Sequence, residues 1–276
     1  MRKSIFVISL IAVLSIVLAL FSGCKKDDNV VLPSDEFAAP SAPKALSDNG
    51  SVRLSWTASS SATSSEFSHY RISTWNATQT TLIKTDSTAN ATATSFTVSG
   101  LTNGTKYTFL IQSVKTGGAL SQGVSIVWGP AVRYTGAKIY EFNSSNPSGL
   151  SFSDGSQKAF TSANKGTIDL WIDGRTGTPT LKSPDNQTIS TGWRTTGLAQ
   201  SVVGGTATLN TYAAYPLASA ITSNELTINP SNVYFAKTSD GHFARFTVSA
   251  VQGTAPDRYI TVDVSYNEGI GEYAKR

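Results

Sequence analysis

The sequence predicts an all-β protein, and three observations carry that prediction. Charged residues make up 14% of the chain, against about 25% in an average soluble domain. Ser, Thr, Asn and Gly fill the space they leave; Thr and the aromatics favour strands, Gly and Asn favour turns. Short runs with strict alternation recur between turn signals, as in Ser51–Trp56, Lys138–Phe142 and Tyr259–Tyr266. No long amphipathic helix pattern interrupts residues 137–276. The length behind an N-terminal leader suffices for two domains of ordinary size. The expected division is a β-sandwich over 39–135 and a second β-rich domain over 136–276.

The leader comes first. Arg2 and Lys3 precede an apolar run from Ile5 to Phe21, and the small pair Ser22-Gly23 precedes Cys24. That layout predicts a secretory signal peptide over residues 1–23. A membrane span takes about 20 apolar residues, so an uncleaved anchor is the alternative, at the lower limit of length. Cys24 is the only cysteine in the chain, and an exported protein with one unpaired thiol otherwise carries a loose reactive group. Leu20-Phe21-Ser22-Gly23-Cys24 resembles a bacterial lipobox, with Phe21 where an aliphatic residue is usual. The resemblance implies acylation of the Cys24 thiol. Lys26, Asp27 and Asp28 resemble the export signal of Bacteroidetes-type surface lipoproteins, and the same run also suits a solvated tether. Together these resemblances imply attachment to the cell outer membrane through Cys24. Residues 24–38 would then form the lipidated tether, and the rest would face the medium.

Charge and cysteine usage narrow the partners. The formal net charge of +4 includes Arg2 and Lys3, which leave with the leader. No run of Lys or Arg interleaved with aromatics occurs. Phosphate binding needs a clustered basic face, so nucleic acid is not the expected partner. With one cysteine, neither domain can hold an internal disulfide, and each is expected to rely on its own core.

Residues 39–135 divide into alternating strands. Pro40-Ser41-Ala42-Pro43-Lys44-Ala45-Leu46 reads as a proline-punctuated edge strand. Ser51-Val52-Arg53-Leu54-Ser55-Trp56 and Ser68-His69-Tyr70-Arg71-Ile72-Ser73 alternate cleanly. Phe96 to Tyr107 carries Leu101, Gly104, Thr105 and Tyr107 at a distinctive spacing. From Ala39 to about Thr135 the chain resembles a fibronectin type III module. The resemblance implies that Tyr107 forms the tyrosine corner, its ring in the sandwich and its hydroxyl tying the crossover loop. Trp56, Tyr70 and Leu101 would be core, and His69 would point outward. Such a module acts as a spacer or binding surface, although fold alone assigns no function.

The second domain should hold any specific function. Its clearest element is a hairpin from Val233 to Val251, reversed at Ser239-Asp240-Gly241, where Asp-Gly supplies positive φ. Tyr259–Tyr266 puts Ile260, Val262, Val264 and Tyr266 on one face. A short helix fits only within Ala213–Leu226. Ile168–Asp173 and Tyr234–Arg245 resemble segments of HmuY-like haem-binding lipoproteins, which ligate haem iron through paired histidines or methionines. Residues 136–276 depart from that pattern, since they contain His242 alone and the single methionine is Met1. Zinc needs three or four nitrogen or sulfur ligands, which two histidines and one cysteine cannot supply. Trp171, Trp193 and Tyr212, with Trp75 and Tyr215, could stack on sugar rings. Asp169, Asp173, Asp240 and other acids could supply a glycosidase pair. The reading that fits best is a non-catalytic surface lipoprotein without a cofactor, its fibronectin-like spacer presenting a β-domain to a glycan or protein. Its candidate ligand-binding residues are Trp171, Trp193, Tyr212 and His242. The alternatives are a carboxylate-dependent surface glycan hydrolase and a haem-capture lipoprotein.

Overall fold

Alternation decides the first sandwich. In a computed structural model describing residues 37–267, seven strands run from β1 (Ser41–Asp48) and β2 (Ser51–Thr57) to β3 (Phe67–Asn76) and β4 (Leu82–Ser87). They continue through β5 (Ser95–Ser99), β6 (Tyr107–Lys115) and β7 (Leu120–Trp128). Cys24, Lys26, Asp27 and Asp28 lie outside the described residues. A three-stranded sheet ordered β1-β2-β5 faces a four-stranded one ordered β4-β3-β6-β7. Val52, Leu54 and Trp56 turn inward from β2 while Arg53 and Thr57 face out, because successive side chains leave opposite faces of a strand. Trp56 meets Tyr70 edge-on at 5.2 Å between ring centroids. The Tyr107 hydroxyl accepts a hydrogen bond from the Thr102 N–H at 3.1 Å, so the tyrosine corner forms as expected. His69 is half-buried beside the Ser68 hydroxyl.

The second half holds two five-stranded sheets. Its strands begin with β8 (Val132–Tyr140), β9 (Gly149–Leu150), β10 (Gln157–Lys158), β11 (Leu170–Asp173) and β12 (Thr180–Lys182). They end with β13 (Thr196–Val202), β14 (Glu225–Thr227), β15 (Asn232–Thr238), β16 (Phe243–Val248) and β17 (Tyr259–Tyr266). One sheet is ordered β10-β9-β11-β12-β14 and the other β13-β15-β16-β17-β8. β8 runs straight through the 135/136 junction read from the sequence, and its pairing with β17 assigns Val132–Thr135 to the second half. Where a short helix was expected within Ala213–Leu226, only a 3-10 turn at Ala218–Ala220 forms, followed by β14.

Both faces of the β13-β15-β16-β17-β8 sheet are covered. Tyr234, Ala236, Ala244, Phe246, Ile260, Val262 and Val264 pack with Leu150, Leu170, Ile172 and Leu181 of the opposing sheet. Val233 and Phe235, alternating with them on β15, join a different core, shared with Trp56, Phe109, Ile126 and Trp128 of the first sandwich. Tyr215 bridges the two, 6.0 Å from Trp128 and 4.6 Å from Phe235 between ring centroids. The expectation of two independent cores is therefore corrected: Phe37 onward forms one compact unit. The reason is that the sheet's second face is apolar at Val233 and Phe235, and the first sandwich is what covers it. Among the described residues, no helix is long and apolar enough to cross a membrane.

Candidate functional site

Trp171 and Trp193 come together, but as core. Phe160 lies between them, 3.9 Å from Trp193 with planes 7° apart and 4.4 Å from Trp171. Phe142 closes the group edge-on. The Trp171 indole N–H donates to the Ser183 carbonyl at 2.9 Å. Trp171 is fully buried and Trp193 nearly so, so neither offers a ring face to a sugar. Alternation explains why: β11 is buried on both faces, and a Trp there has nowhere else to go. Trp75 is half-buried on β3 and Tyr215 lies inside the shared core.

His242 heads a chain of polar contacts that leads inward. Its Nδ1 lies 2.7 Å from the Tyr266 hydroxyl and 3.7 Å from Asp240. Asp240 meets Arg194 at 3.2 Å, and Arg194 meets Asp169 at 3.2 Å. The His242 side chain is 51% exposed, whereas Asp169 is 1% exposed. Burial pushes the Asp169 carboxyl up to about 6, against the pull of the Phe152 N–H and the Arg194 charge. Burial and the charges of Asp240 and Asp169 push the Tyr266 hydroxyl up to about 12. Asp173 behaves oppositely: burial would raise it, but hydrogen bonds from Arg175 and Lys182 outweigh burial and hold it at about 2. Glu141 is gripped by both arms of Arg258. Asp169, Asp173 and Glu141 are therefore each engaged by an internal cation.

Tyr212 is placed differently. It is 41% exposed, stands at the seam between the two halves, and carries the Lys44 ammonium 4.6 Å above its ring. Beside it is a shallow depression lined by Pro43, Ala45, Ile126, Trp128, Ala213 and Arg245. Arg245 reaches this point through the sheet register. Ala199, Phe235, Arg245, Ser265 and Arg133 form one row across five strands, on the face turned to the first sandwich. Arg245 is 2% exposed; its guanidinium donates to the Thr211 carbonyl, and its Nε has no acceptor. Arg133, on the same row, donates to the Ser47 and Leu209 carbonyls and to Asn210 Oδ1, and lies 3.5 Å from Asp48. It thereby ties the seam shut. Sequence reasoning singled out neither Lys44 nor Arg245. The available signal was the alternation of Phe243-Ala244-Arg245-Phe246, which sets an arginine among inward positions.

Residues 38–127 match the family model of the fibronectin type III domain. Among solved structures, the fibronectin type III domain of human collagen XX is 20% identical, covering 33% of this chain and 90% of that one at a TM-score of 0.28. The FN5 domain of Drosophila Lar is 21% identical, covering 34% and 96% at a TM-score of 0.26. No curated protein matches the chain. A fibronectin type III domain is thus followed by further β-sheets, and the family match ends before every candidate ligand-binding residue.

Proposed function

We propose that this chain is a surface-anchored binding protein, held at the cell outer membrane by lipid on Cys24, and that it binds a glycan or protein without chemically altering it. The fibronectin type III domain serves as a pedestal fixed to the second β unit. The observation that carries the reading is the disposition of charge. The most buried acids are engaged by Arg175, Lys182, Arg194 and Arg258, while Lys44 and Tyr212 stand open at the seam. Hydrolysis of a glycan needs two carboxylates flanking a bond within a cleft; binding needs only a surface with convergent contacts. The haem alternative rests on His242, because the other histidine, His69, lies on β3 of the first sandwich.

Two measurements test the reading. Cys24→Ala should abolish lipid incorporation in metabolic labelling and release the protein from the membrane. Membrane retention without lipid in the wild type would point instead to an uncleaved anchor. The purified chain, passed over immobilised polysaccharides and glycoproteins, should be retained without releasing reducing ends. Release of reducing ends that Asp169→Asn or Asp240→Asn abolishes would establish the hydrolase.

A further inference from the structure

Arg245 is a buried cation that lacks an anion. Buried charges are ordinarily paired, because taking an ion out of water costs more than a neutral hydrogen bond returns. This protein follows that rule elsewhere: Arg133 faces Asp48, Arg175 faces Asp173, Arg194 faces Asp169 and Asp240, and Arg258 faces Glu141. Arg245 is more buried than any of them and has no carboxylate within ion-pair distance among the described residues. It cannot shed its charge to escape the cost. The Thr211 carbonyl accepts from the guanidinium, but Nε is left without an acceptor, and a carbonyl carries no net charge.

The surroundings add positive charge. Arg133 stands two strands along the same row, and Asp48 answers Arg133. Lys44 lies over the Tyr212 ring at the rim of the depression that Arg245 lines. A local surplus of cations raises the concentration of anions at such a point. The depression itself has room for about one water-sized body. A water molecule there would accept from Nε and leave the charge uncancelled. Chloride is only slightly larger than water, accepts N–H donors from any direction, and cancels the charge. Its charge-assisted contact with a guanidinium is also the stronger one. Polyatomic anions exceed the room.

We propose that this position binds a single chloride ion, held by Arg245 of β16 where Pro43, Ala45, Ile126 and Trp128 of the first sandwich close over it. The ion completes the seam between the two halves, so the stability of the chain depends on chloride. This inference goes beyond the binding role proposed above and does not depend on it.

The test is thermal melting of the full chain at constant sodium and ionic strength, with chloride exchanged for gluconate. Raising chloride from about 10 mM to about 0.5 M should raise the melting temperature by about 2–4 °C, since a ligand that binds only the folded state stabilises it. Arg245→Met should abolish that response, and chloride-35 line broadening by the protein should fall severalfold with it. Should Arg245→Met not fold, Arg245→Lys keeps a cation at the position and loses the Nε donor, so its response should shrink. Lys44→Gln should leave most of the response in place. Sulfate stabilises proteins generally, but the part of its effect that depends on Arg245 should be absent. Equal melting of the wild type in chloride and gluconate would mean that water suffices, and would overturn the proposal. A response of undiminished size in both Arg245 variants would overturn it too. Abolition by Lys44→Gln would assign the chloride to the surface lysine instead. An Arg245-dependent effect of sulfate equal to that of chloride would refute the monatomic site.

Discussion

Asp169 and Asp173 bracket the same short strand and titrate in opposite directions, because one is sealed and the other is surrounded by cations. An unfolded aspartate titrates near about 3.9, and burial lifts Asp169 to about 6. Below about pH 4 both states carry the proton. Between about 4 and 6 only the folded state does, so stability falls as pH rises through that window and stays lower above it. Asp173 is held at about 2, so its contribution is present above about pH 4 and lost as pH falls toward 2. Asp169→Asn keeps an acceptor for the Phe152 N–H and removes the buried charge. Its stability relative to wild type should therefore improve between pH 4 and 7, by about 3 kcal/mol across the window. Thermal melts at several pH values read this directly, and a flat difference would mean that the Asp169 carboxyl is not paying for burial.

At the scale of elements, the hairpin and the corner show what local pattern can specify. Gly241 sits at φ +82°, and its N–H closes the turn on the Thr238 carbonyl at 2.9 Å, as the Asp-Gly pair predicts. The tyrosine corner at Tyr107 was legible from its spacing, but a second one was overlooked. The Tyr234 hydroxyl accepts from the Asn229 N–H at 2.8 Å and donates to the Thr227 carbonyl at 2.7 Å. The offset of five residues is the same as that from Tyr107 to Thr102. The run Ile228-Asn229-Pro230-Ser231-Asn232-Val233-Tyr234 carried the signal, yet the Gly-, Thr- and Ser-rich stretch before it gave no strand to anchor the comparison. Tyr107→Phe and Tyr234→Phe should each strand a backbone N–H and cost about 1–3 kcal/mol. Urea unfolding midpoints test both; an unchanged midpoint in either would mean that its hydroxyl holds nothing.

For the whole molecule, the shared core predicts cooperative unfolding. Val233, Phe235 and Tyr215 pack with Trp128 and Ile126, and Arg133 ties β8 to Ser47 and Asp48. Exposing that interface would leave a large apolar face in water, so the two halves should melt together. Scanning calorimetry should give one transition whose calorimetric and van't Hoff enthalpies agree. Trp128→Ala should lower it by about 3–5 kcal/mol without splitting it. Two resolved transitions in the wild type would show that the halves are beads on a string.

The sequence by itself determined the class, most of the strands and one face of each. Alternation at Ser51–Trp56, Ser68–Ser73 and Tyr259–Tyr266 is a local property, and the pleat converts it directly into inward and outward positions. It also resolved the fibronectin type III domain, whose corner residues lie within a few positions of one another. What only the tertiary structure decided is where those faces meet. Trp171 and Trp193 look like platforms until Phe160 is seen between them, and Arg245 looks like an ordinary strand arginine until Tyr212 and Trp128 arrive beside it from distant segments. Alternation says which side a residue leaves its strand, while the packing partner on that side is set by contacts far apart in the chain.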